Sequence, residues 1–196
     1  MGKSRRNKQI PEIYDDLLAH LDAEKFIVSD FVVSETKQNH HESYSASELV
    51  NCYVSFGETR AECEIRQFSI YNYSFSYFSN SVDGRIITRL DTGDGTHNNK
   101  APGIPLELTS VPTPHIHRYR KDGYLIAYPI KGIDYSSESS LKFDCYQGYS
   151  YFCSELSIKS LNGAAPNFIF APKGRIHMEY EQTDPNAGIK FPLTDE

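Results

Sequence analysis

The stretch Ile65 to Phe78 largely alternates polar and apolar side chains, and this period of two restricts the fold more than any other feature of the chain. Successive side chains of a strand point to opposite faces, so such a segment needs one face against a core and the other in water. That is the arrangement of an antiparallel sheet covered on one side. Cys63 to Phe78 is also rich in Ile, Tyr and Phe, which suit a pleated, half-buried surface. Read as one element it is long for a strand, which predicts a bend or bulge within it.

The remaining segments extend the sheet. Phe26 to Val33, Leu49 to Phe56, Arg85 to Asp91, Asn167 to Ala171 and Arg175 to Tyr180 read as strands. His115 to Arg120 and Tyr124 to Ile130 read as a hairpin closed by Lys121-Asp122-Gly123. Gln38 to Ser47 is polar enough to read as a loop, as is the Gly- and Asn-rich run Thr92 to Asn99. Pro11 followed by Ile13, Tyr14, Leu17, Leu18 and Leu21 predicts a short amphipathic helix, with proline at the start where its missing N–H costs least. Ser139 to Ile158 is read as a second helix, against the weak helix propensity of Gly148 and the aromatics. The fold class expected is α+β, mainly antiparallel sheet with an N-terminal helix and a helix in the C-terminal half.

At 196 residues the chain suits one domain. The expected division is a basic disordered arm over 1–10, a single α+β domain over 11–181 and a loose acidic tail over 182–196. No run approaches the roughly 20 apolar residues of a membrane span, and no apolar run follows the basic start as in a signal peptide; the expectation is a cytoplasmic protein. Lys3, Arg5, Arg6 and Lys8 concentrate positive charge at the start, so the rest of a chain of net charge −6 carries about −10. A body that acidic binds nucleic acid poorly, and direct nucleic-acid contact is not expected. The four cysteines, Cys52, Cys63, Cys145 and Cys153, form no Cys-x-x-Cys pair and read first as buried thiols. Cys145 and Cys153, eight apart, share a face if their segment is helical.

The chemistry concentrates in residues 91 to 117. On a strand, His115 and His117 project from one face about 7 Å apart, and their rings can converge on one ion. His97, on the loop after the preceding strand, can supply a third imidazole. Cys153, Asp91 or Asp94 can complete a tetrahedron, with Cys145 a further thiol. An isolated His-x-His is more often a pair of solvated or hydrogen-bonded strand histidines; it is the third histidine that raises the metal reading. Clustered His, Cys and Asp donors suit zinc better than magnesium or calcium. The site expected from the sequence is therefore zinc on His97, His115, His117 and Cys153. His40 and His41 read as solvated loop residues, His20 as a helix-end residue suited to the helix dipole, and His177 as a weak candidate.

No Gly-x-Ser-x-Gly elbow, P-loop, His-Glu-x-x-His or deaminase signature is present. A two-histidine RNase or phosphodiesterase toxin, with His97 and His115 or His117 as base and acid, is the alternative reading. Arg118 and Arg120, however, alternate with the histidines and face away from them.

The run Arg89-Leu90-Asp91, His97-Asn98-Asn99, Pro114-His115-Ile116-His117-Arg118-Tyr119-Arg120, Gly123-Tyr124 and Ala127-Tyr128-Pro129-Ile130, with Phe152-Cys153 further on, resembles the signature of a family of small bacterial and prophage proteins. The resemblance covers roughly residues 85 to 160 and implies a shared site without implying a reaction. Here Ile104 to Thr113 lengthens the loop between His97 and His115. In size, charge and setting the chain is also similar to phage anti-CRISPR proteins, zinc-containing inhibitors of the type II-A nuclease Cas9. That similarity implies a metal-stabilised protein-binding module whose acidic body docks on a basic, nucleic-acid-handling host protein.

Overall fold

In the computed structural model, which describes residues 6–38, 41–66, 72–83, 86–93, 95–130 and 141–171, the long alternating segment is two strands rather than one. Strands β4 (Thr59–Arg66) and β5 (Tyr73–Ser79) pair antiparallel, Cys63 opposite Phe75. The period of two is the same on either side of a hairpin, so alternation alone does not distinguish a bent strand from two paired ones.

Two further expectations are corrected. Phe26 to Val33 is broken into β1 (Lys25–Ile27) and β2 (Phe31–Gln38). Both lie along the same edge of the twelve-residue strand β3 (His41–Cys52), whose start was read as loop. Around them the sheet continues through β6 (Ile86–Asp91), β9 (His115–Tyr119) and β10 (Leu125–Pro129), while β11 (Ile158–Ser160) and β12 (Phe168–Ala171) run parallel to β1 and β2. A separate ribbon pairs β7 (Thr96–Asn98) with β8 (Ser110–Pro112). The expected hairpin His115 to Ile130 is present as β9 and β10. Among the described residues, no helix is long and apolar enough to cross a membrane.

Both helices are where the sequence places them. Helix α1 spans Ile10–Asp22, with Pro11 in its first turn and Ile10, Leu17 and His20 buried. Helix α2 spans Cys145–Glu155 and is capped by Asp144, whose carboxylate accepts from the Tyr146 N–H at 2.8 Å. Gly148, a poor helix former, is required here. A Cβ on it would fall 2.0 Å from the Tyr73 hydroxyl oxygen, which crosses the helix to donate to the carbonyls of Leu141 and Asp144. Residues 6–10, expected in the arm, belong to the body: Arg6 bridges Tyr124, the Asn7 N–H donates to the Gly123 carbonyl at 2.8 Å, and Ile10 opens α1. The expected strand Arg175 to Tyr180, the tail and His177 lie outside the described residues.

The two faces of the sheet differ in kind. One carries Ile65, Cys63, Phe75, Tyr77 and Leu90 and is covered by the helices, with Phe75 stacked on Phe152 at 5.4 Å and tilted against Tyr149. The other face is polar. Strand register sets Ser34, Ser45, Glu64, Ser74, Asp91 and His115 in one cross-strand row. The neighbouring row runs Ser47, Glu62, Ser76, Arg89, His117. Ser45 and Ser47, part of the polar content that made 38–47 look like a loop, are outward positions of a strand pattern whose inward positions include Tyr44, Ala46 and Val50.

Candidate metal centre

His115 and His117 lie on β9 two residues apart and on the polar face, as alternation requires, yet both are only 3% exposed. They are buried from above. The segment after β6 folds back as the β7–β8 ribbon, with His97 opposite Val111, and carries His97 over the two strand histidines. Asn99 fixes that fold: its amide NH2 donates to the carbonyls of Leu108 (2.7 Å) and Ala127 (2.8 Å), and its side-chain oxygen accepts from the Ala127 N–H (2.9 Å). The long Ile104 to Thr113 segment supplies β8 and a 3-10 turn at Leu106–Leu108, and so builds the ribbon.

The three imidazoles form a tight group. Ring centroids are 4.9 Å apart for His115 and His117, 4.7 Å for His97 and His117, and 5.6 Å for His97 and His115. One ring nitrogen from each lies within 4.8 Å of the others, so the cluster can hold a metal ion. Nδ1 of His115 is 3.2 Å from the Pro112 carbonyl, to which it can donate, leaving Nε2 turned into the cluster. There it is 3.1 Å from Nε2 of His117.

Asp91, from the adjacent strand, joins the same point. Its Oδ2 lies 3.0 Å from Nε2 of His117 and 3.6 Å from Nε2 of His115, and it receives the Arg89 guanidinium at 2.7 Å. Burial opposes the charge on Asp91, but hydrogen bonds from His115 and His117 and the nearby Arg89 outweigh it and hold the carboxyl well below the usual range. His97 is pushed down to about 4, first by burial and then by its neighbours His117, His115 and Arg89; burial also lowers His117. Neutral imidazoles at ordinary pH are the form that ligates metals.

The chain matches no family model, no curated protein and no solved structure. The site therefore rests on its own geometry. His97, His115 and His117 are brought together as expected. Cys153 is not: it sits on α2 in the apolar core, on the covered side of the sheet, where burial pushes its thiol up to about 12. Cys145 shares that buried face. Asp94 and His40 lie outside the described residues, and His41 falls in β3 rather than in a loop. His20 is fully buried against Tyr77 and Phe56, and burial and the nearby Lys25 push it down to about 4, so the protonated, dipole-facing role expected for it does not hold. Arg118 and Arg120 do face away, Arg118 to Glu155 and Arg120 to Asp122. Arg89 is the site residue that sequence reading missed. Its signal was the spacing to Asp91, which places both on one strand face.

The cluster is open on one side. It forms one end of a groove of about 1030 Å³ that runs along the polar face, lined by His97, His115, Asp91, Arg89, the serines of β3 and β5 and the glutamates of β4.

Proposed function

We propose that this protein is a metal-dependent hydrolase whose ion, of the zinc class, is held by His97, His115 and His117 beside Asp91. The observation that carries this reading is the spacing of the donors. Zinc bonds of about 2.0–2.1 Å in a tetrahedron set ligand atoms about 3.3 Å apart. The contacts among His115 Nε2, His117 Nε2 and Asp91 Oδ2 measure 3.1, 3.0 and 3.6 Å, and a ring nitrogen of His97 lies within 4.8 Å of those of the other two histidines. The groove beyond gives a substrate access, and with Cys153, the fourth ligand expected here, in the core, the remaining donor beside the three imidazoles is Asp91. An ion so placed supplies activated water and polarises the scissile bond. The Pro112 carbonyl, 3.2 Å from Nδ1, orients His115, Asp91 lies beside the Nε2 atoms that would face the ion, and Arg89, 2.7 Å from Asp91, stands ready to stabilise negative charge on the reacting oxygen.

Protein stripped with a chelator and titrated with zinc should gain hydrolysis of an activated ester, and His115→Ala and His117→Ala should abolish both gain and metal uptake. Arg89→Ala should keep the metal and lose about 100-fold in rate. Absence of metal uptake, or hydrolysis indifferent to zinc, would overturn the proposal. The second reading, an inhibitor docking on a basic nuclease such as Cas9, draws its support from the net charge of −6. Salt-sensitive inhibition of such a nuclease by zinc-loaded protein that hydrolyses nothing would favour it.

A further inference from the structure

From the charge around the histidines we infer that the substrate is a phosphate monoester of a polar, otherwise uncharged alcohol, its phosphoryl group seated between the histidine cluster and Arg89. This rests on the hydrolase reading for the ion and on separate observations for the ligand. The first observation is how close the two cationic positions are. Arg89 Nη2 lies 3.4 Å from Nε2 of His117, so the guanidinium borders the point where the three ring nitrogens converge. One reacting group therefore meets both. A carbonyl brings a single oxygen that gains charge only as bonds change, whereas a phosphoryl group brings three oxygens already charged, one for the ion and another for the guanidinium. Arg89 directs Nε and Nη2 to Asp91 Oδ2 at 2.9 and 2.7 Å, and a guanidinium carries five N–H groups. Its side chain is 34% exposed and lines the groove, so the remaining N–H groups can serve a ligand.

The second observation is the distribution of charge. Asp91 and Arg89 cancel, so a divalent ion on neutral imidazoles leaves the centre at about +2, which matches a phosphate monoester of about −2 at neutral pH. The rest of the floor is balanced. Glu64 pairs with Arg66 at 2.9 Å and Glu62 with Arg60 at 2.6 Å. These glutamates stand two strands from the site, in the cross-strand rows of Asp91 and Arg89, about 10 Å away at about 4.8 Å per strand. A polyanion needs cations along its length, and this floor holds none in excess. The matching ligand carries its charge at one end only.

The third observation is what surrounds that end. Ser74 and Ser76 are the cross-strand neighbours of Asp91 and Arg89 on β5, and Ser45 and Ser47 continue the two rows on β3. Hydroxyls both donate and accept, which suits the hydroxyl groups of a polar alcohol. In the reaction, water adds to phosphorus and the P–O bond to the alcohol breaks with its electron pair on the leaving oxygen. The proton lost by the water passes to that oxygen.

The test compares zinc-loaded and metal-free protein on p-nitrophenyl phosphate, p-nitrophenyl acetate, inorganic phosphate and an oligothymidylate. Zinc-loaded protein should accelerate cleavage of the phosphate ester, relative to the reaction in buffer, more than that of the acetate. Inorganic phosphate should inhibit competitively and should show no binding by calorimetry to metal-free protein, whose centre is neutral. At equal zinc content, Arg89→Ala should raise the phosphate inhibition constant about tenfold or more. The oligothymidylate should not bind wild type, and Glu62→Gln/Glu64→Gln, which leaves Arg60 and Arg66 without counter-charges, should admit it. Zinc-dependent cleavage of the acetate with no effect of phosphate would overturn the phosphate assignment and leave the hydrolase reading standing. Zinc-dependent phosphate binding, weakened by Arg89→Ala, in a protein that cleaves neither ester would remove the hydrolase reading and keep the phosphate site. Wild-type preference for the oligothymidylate would overturn the single-anion assignment.

Discussion

His20 provides a quantitative test of how α1 is seated. Its side chain is fully buried, stacked on Phe56 at 4.8 Å, with Nε2 2.9 Å from the Tyr77 hydroxyl. Burial first, and Lys25 second, push its pKa down to about 4 from an ordinary 6.5. The folded state therefore binds fewer protons than the unfolded chain between those values. Stability contributed by neutral His20 is complete above about pH 6.5 and is lost as pH falls toward 4. A difference of that size corresponds to about 3 kcal/mol, a large share of a typical domain stability of about 5–15 kcal/mol. Urea unfolding of wild type and His20→Gln at about pH 7.5 and about pH 4.5 measures it. Glutamine can keep a hydrogen bond to Tyr77 but does not titrate. Wild type should lose about 2–3 kcal/mol more than the variant over that range. Equal losses would mean that His20 is solvated or already protonated in the folded protein, and the seating described for α1 would be wrong.

Three other substitutions test separate parts of the account. Cys153→Ala should leave zinc content unchanged while costing about 1–2 kcal/mol by calorimetry, because the thiol is packed in the core. Asn99→Ala removes three hydrogen bonds that hold the His97 ribbon to β10; zinc affinity by competitive titration should drop about 10-fold or more while the sheet remains folded. Gly148→Ala should destabilise by at least about 1–3 kcal/mol, since its new methyl meets the Tyr73 hydroxyl, and Tyr73→Phe should recover part of the loss.

Much of this arrangement is legible in the residues themselves. His-x-His on a strand fixes two imidazoles to one face, and the Gly- and Asn-rich run before it supplies a segment able to fold back with the third. Register is not legible in the same way. That Arg89 faces His117 and Asp91 faces His115 follows from how β6 pairs with β9, which depends on distant packing and not on either strand alone. Polar composition concealed the first half of β3, because a strand facing a polar groove on one side and paired along both edges need not be hydrophobic on average. Cys153 looked like a ligand because thiols bind zinc. Its neighbours Tyr149, Phe152 and Leu156, spaced to share a helix face, were the stronger signal, and they place it in the core.

The central claim is that three histidines hold a metal ion facing an open groove. It is tested most directly by crystals grown with zinc and an anomalous difference map recorded at the zinc edge. The account predicts one dominant peak about 2.1 Å from a ring nitrogen each of His97, His115 and His117, beside Asp91 and with no sulfur in the shell. A map with no peak between these histidines, or with its peak on Cys153, would contradict it.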